Sequence, residues 1–158
     1  MNSRRIWFAV LMAAVYISTG FFREFVFVNI NEQMRVTYYQ TNDSQVAPSM
    51  QFLNSFEYGT LYYAKWPLTF LFTVIFAAFA ALIVRAIFQN RRLVIITLLA
   101  YSAVFFTGLL FYGIGVLAGS VERFYVIARF LAGMVETPAL LIVLVPAFYL
   151  FRQENKAS

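Results

Sequence analysis

The chain has 158 residues, 62% of them hydrophobic and 12% charged, more apolar surface than a water-soluble domain of this length can cover with polar groups. With no cysteine and no histidine, disulfides, thiol chemistry, Cys/His zinc sites, imidazole acid–base work and bis-His haem ligation are excluded together. The net charge of +5 is spread over segment ends rather than gathered on one soluble face, which argues against nucleic acid as a partner and for the lipid bilayer.

Arg4 and Arg5 precede an apolar run that predicts a first membrane span over residues 6–28. A secretory signal would need a small-residue cleavage site after a short apolar core, whereas this run passes through Ser18-Thr19-Gly20 and stays aromatic to Val28, so an uncleaved helix is expected. Arg23 and Glu24 fall where that helix should leave the membrane. Neighbouring residues on a helix point about 100° apart, so the two are expected to pair poorly with each other. They either cap the interface or join a polar cluster with the last helix.

Residues 31–65 form a polar and aromatic excursion longer than a helix connection needs, expected to be extracytoplasmic. Turn chemistry over 37–49, with Asn42, Asp43, Ser44 and Pro48, reads as loop. Phe52, Leu53, Phe56, Leu61 and Tyr62 then recur at spacings near three and four, which predicts a short amphipathic helix lying in the membrane interface and limited by Gly59. Tyr58, Tyr62, Tyr63 and Trp66 supply an aromatic belt ahead of the next span.

The second span is expected over 67–88, with Pro67 in its first turn and Arg85 able to snorkel from its last. Asn90, Arg91 and Arg92 make a tight turn, and 93–117 is the third span. Gly115 and Gly119 form a small-xxx-small pattern that points to close helix packing. A fourth span is expected over 124–151, followed by a brief polar tail. Arg4, Arg5, Arg85, Arg91, Arg92, Arg152 and Lys156 fall on one side of this arrangement, against Arg23, Arg35, Lys65 and Arg123 on the other, so the denser side and both termini should be cytoplasmic. The economical architecture is a single all-α membrane domain, four helices in an antiparallel bundle with one long extracytoplasmic loop.

The last span carries the sharpest signal. An ionised side chain near the bilayer centre costs at least about 2.5–3.5 kcal/mol, yet this segment holds Arg129 and Glu136, with Arg123 where it begins. Arg129, Gly133, Glu136 and Leu140 follow at spacings of four, three and four, so the charges and a glycine share one helical face. Seven residues rise about 10.5 Å, so Arg129 and Glu136 meet only if both side chains stretch, and a water or a residue of another helix is an equal expectation. Pro138 cannot donate to the Met134 carbonyl, which predicts a bend beside Glu136, and Pro146 repeats the effect further on. The cluster is either a structural polar lock, within the bundle or against a partner protein, or a ligand, lipid or proton site.

The run Arg123-Phe124-Tyr125-Val126-Ile127-Ala128-Arg129-Phe130-Leu131, the later Leu144-Val145-Pro146-Ala147-Phe148-Tyr149-Leu150 and the step Phe22-Arg23-Glu24-Phe25-Val26-Phe27 resemble stretches of the small four-helix membrane proteins that accompany exosortase F in Bacteroidetes. The resemblance is confined to these runs. It implies a bacterial inner-membrane accessory protein of an envelope-protein sorting or secretion system, with no catalytic residues to carry over.

The residues themselves point the same way. No Gly-rich phosphate loop and no paired carboxylates on one element call for catalysis, metal or cofactor, so the first expectation is a non-catalytic subunit that binds a membrane-protein partner or its own copies. The alternative is a small oligomeric transporter or lipid-binding protein using Arg129 and Glu136. An enzyme built on Glu24, Glu32, Asp43 and Glu57 comes third, because carboxylates scattered through a loop are usually solvated.

Overall fold

A computed structural model describes residues 3–41 and 43–157; Asn42, read above as part of the loop, lies outside the described residues. Among them there is no strand. Helix α1 (Ser3–Tyr39) is followed by a 3-10 helix (Pro48–Ser55), then α2 (Tyr58–Phe88), α3 (Arg91–Leu117), α4 (Val121–Val135) and α5 (Ala139–Ala157). The first three α-helices are each long and apolar enough to cross a membrane. Val121–Val135 and Ala139–Gln153 pass the same test only together, bent by 59° at the break between them.

Several boundaries differ from expectation, for one reason. The polarity that ends a membrane span does not end a helix. Beyond Val28, α1 continues to Tyr39 because Val26, Ile30 and Met34 keep an apolar stripe at four-residue spacing, while Glu32 and Arg35 pair along the other side at 2.8 Å. Its stop is a left-handed Gln40 (φ 53°) with the Thr41 N–H closed on the Val36 carbonyl, the Schellman pattern. Likewise α2 begins at Tyr58 rather than at residue 67, so Gly59 lies inside it and Pro67 is an interior proline, not a first-turn one. The expected polar tail is helical as far as Ala157.

By contacts the chain groups into two compact units, Met1–Ile17 with Thr73–Ser158, and Ser18–Phe72. In the first, α3 packs closely on α4. A Cβ on Gly115 would come within 2.7 Å of the Phe124 Cβ and one on Gly108 within 3.4 Å of the Ala128 carbonyl oxygen and the Leu131 Cβ, so the helices approach over two glycines seven residues apart and only Gly115 has no room for a side chain. Gly119 does not belong to it: at φ 64°, with open space around it, it is the left-handed stop of α3, and the Ser120 N–H closes on the Gly115 carbonyl. A second seam joins α2 to α5, where Val84, Phe88, Leu93 and Phe148 are buried together and the Phe88 and Phe148 rings meet edge to face at 5.8 Å.

In the other unit, Ile30, Met34, Leu53 and Leu61 form a small core. Leu53 therefore points into protein, while Phe52 and Phe56 are exposed, so the three do not make the single apolar face that the spacing predicted. A 3-10 helix brings residues three apart into line, and the chain is extended at Phe56.

Candidate functional site

The break between α4 and α5 is the most polar buried place in the first unit. Pro138 lacks the N–H that would continue α4, and the helix ends at Val135 with the Glu136 N–H on the Ala132 carbonyl. Glu136 itself is 1% exposed. The next carbonyl, that of Thr137, receives the Tyr16 hydroxyl of α1 at 2.8 Å, and the Tyr101 hydroxyl of α3 lies 2.9 Å from the same Tyr16 oxygen. A phenol has one proton, and that of Tyr16 is committed to the carbonyl, so Tyr101 is the donor to Tyr16. The result is a directed chain from Tyr101 through Tyr16 to the peptide of the break. Both tyrosines are 1% exposed, and the Tyr16 ring rests edge-on against Phe76 of α2 at 4.9 Å.

The bend predicted beside Glu136 is present, but Arg129 and Glu136 are not brought together. Arg129 is exposed and makes no hydrogen bond or ion pair among the described residues. The cause is the break: Arg129 lies on the regular part of α4, whereas Glu136 has left helical geometry (φ −97°, ψ 12°). Helix α4 thus has two distinct faces. Val121, Phe124, Ala128 and Leu131 meet α3. Val126, Arg129, Phe130 and Gly133 fall on another at spacings of three, one and three, with Val126 and Phe130 more than two-thirds exposed and open space where a Gly133 Cβ would be. Arg123 is exposed in the first turn.

Arg23 and Glu24, in the other unit, do pair despite the angle between them, through a single Nη1 to Oε2 contact of 3.1 Å, and the Arg23 guanidinium lies 4.5 Å from the centre of the Phe27 ring. The long arginine stem wraps back to reach its neighbour. Tyr58, Tyr62 and Tyr63 form a chain of ring contacts that Tyr38 and Tyr39 extend from the end of α1, with Trp66 exposed one turn on. Residues 43–47 are tied down by polar side chains of α1. Glu32 accepts two bonds from Arg35 and one from the Gln45 N–H, Arg35 reaches the Asp43 carbonyl at 2.8 Å, and Asn29 accepts from the Ala47 N–H at 2.6 Å.

Tyr16, Tyr101 and Gly108 were not singled out as site or packing residues from the sequence. A phenol well inside an apolar run demands a hydrogen-bond partner, and that signal was legible for Tyr16; its target, a backbone carbonyl far along the chain, was not. No protein-family model, curated protein or solved structure matches the chain.

Proposed function

We propose that this protein is a non-catalytic subunit of a larger inner-membrane complex, its four candidate spans forming an antiparallel bundle with both termini cytoplasmic and residues 40–57 on the opposite side. The observation that carries the reading is Arg129. It lies eight residues beyond Val121, about 12 Å along α4, in a candidate span that would place it well inside a hydrocarbon core about 30 Å thick, and no acidic group among the described residues meets it. An arginine at that depth is stabilised by an anion supplied from outside. The notch over Gly133 and the flanking Val126 and Phe130 fit a partner helix that carries a carboxylate. The resemblance of the last-span runs to exosortase F-associated proteins points that complex toward envelope-protein sorting or secretion.

Gentle-detergent purification with identification of co-eluting membrane proteins tests the proposal. Arg129→Leu is expected to release the partner while leaving the thermal stability of the isolated protein unchanged or raised, because its exposed side chain has no hydrogen bond or ion pair to lose among the described residues. Retention of every co-eluting protein by that variant would overturn it.

One feature favours a second reading, a small transporter. Helices broken at membrane depth beside a buried carboxylate recur where substrates or protons are bound. On that reading Glu136→Gln keeps fold and assembly and abolishes activity. On the first, the same change leaves partner retention and growth intact.

A further inference from the structure

Arg4 and Arg5 of α1 and Arg85 and Arg91 at the α2–α3 turn, all in the first unit, converge on one groove of about 1070 Å³. Among the described residues no acidic side chain lines it, and none of these four guanidiniums makes a hydrogen bond or ion pair. Loop-end arginines are ordinary in membrane proteins as determinants of orientation. The lining departs from that in being graded. On each helix the basic position gives way, within one or two turns, to an apolar one in the same groove: Arg5 to Phe8, Arg85 to Leu82, Arg91 to Leu98. All three apolar side chains are two-fifths or more exposed, so the floor is open to an occupant. From Arg91 to Leu98 the helix rises about 10.5 Å.

We propose that this groove is a binding site for an anionic glycerophospholipid, its phosphate among the four guanidiniums and its first acyl carbons along Phe8, Leu82 and Leu98. The two halves of the groove select the ligand jointly. Four unpaired guanidiniums, planar donors that match phosphate oxygens in pairs, favour a phosphodiester over a zwitterionic headgroup with its own ammonium. The apolar floor has no use for a soluble anion. A lipid at this site would hold the starts of α1 and α3 and the end of α2 together, independently of anything bound at Arg129.

The test uses the full-length protein in mild detergent, with native mass spectrometry and thermal melts. Phosphatidylglycerol and phosphatidylcholine of identical chains are added separately, and inorganic phosphate in a third arm. Retained phosphatidylglycerol adducts and a raised Tm are expected, with phosphatidylcholine and phosphate giving neither. In Arg85→Gln/Arg91→Gln the preference for phosphatidylglycerol should fall about tenfold or more, while the lipid-free Tm stays at the wild-type value because neither side chain has an internal partner. Leu98→Trp, which fills the apolar floor, should reduce retention with all four arginines in place. Equal retention of the two lipids, or undiminished preference in the double glutamine variant, would overturn the proposal. So would a phosphate response matching that of phosphatidylglycerol, which would identify a soluble-anion site instead.

Discussion

The α3–α4 seam and residues 43–47 solve the same problem, fixing a stretch of chain against a helix, with opposite chemistry. The seam relies on shape, two glycines of α3 letting the backbone of α4 approach until the Phe124 Cβ lies within 2.7 Å of where a Gly115 Cβ would be. The other stretch relies on charge and hydrogen bonds, with Asn29, Glu32 and Arg35 reaching backbone groups at 2.6 to 3.1 Å. Lipid tails are as apolar as the helices they surround, so helices in a bilayer gain little from burying hydrophobic surface and much from close contact. A loop with exposed backbone has donors and acceptors to satisfy, so polar side chains hold it.

The largest expected effect falls on the seam. Gly115→Val should destabilise the protein by about 1–3 kcal/mol or more through overpacking against Phe124, read as a lowered midpoint in detergent melts, whereas Gly108→Ala, whose new methyl meets ordinary contact distances, should be nearly neutral. Equal effects at the two glycines would mean that the seam is soft. Tyr16→Phe comes next. It strands the Thr137 carbonyl and removes the acceptor of Tyr101 at once, an expected loss of about 1–3 kcal/mol for buried groups left unsatisfied; a wild-type melt would show that water replaces the phenol.

The smallest effect sharpens the other side of the comparison. Beyond the apolar run of residues 6–28, the Glu32 carboxyl is held down to about 2, first by its hydrogen bonds from Arg35 and then by the Gln45 N–H. A folded-state value below the unfolded one means that these bonds add stability at and above the ordinary carboxylate range and lose it as pH falls from about 4.5 to about 2. An NMR titration should therefore show the Gln45 amide resonance unchanged from pH 7 to 5 and moving only at lower pH, with the Glu32 carboxyl. Movement centred on the ordinary glutamate value would mean that the segment is not held by Glu32.

Much of this was legible in the sequence, and the misses have physical causes. Apolar length identified the candidate spans, and Pro138 located the bend of the last one, because both are properties of the chain itself. Periodicity erred within the span expected over 124–151: Arg129, Gly133 and Glu136 share a face only if the 3.6-residue period survives Glu136, and the break ends it. The same assumption grouped Phe52, Leu53 and Phe56, which a 3-10 geometry separates. Gly119 matched a packing pattern that Gly108 in fact completes, since a small-residue spacing does not reveal which glycine the chain spends on a turn. The Tyr101–Tyr16–Thr137 chain joins residues 85 and 121 positions apart, beyond the reach of any local pattern.

The break at 136–138 also bears on how this protein is made. Helices α1, α2 and α3 are each long and apolar enough to cross a membrane, whereas α4 qualifies only in combination with the first part of α5. Its close fit to α3 across the glycine seam, joined by a turn of three residues, gives α4 a protein wall along the face of Val121, Phe124, Ala128 and Leu131. An α3 already standing in the membrane when α4 arrives would let α4 enter as the second arm of a hairpin rather than as an independent span.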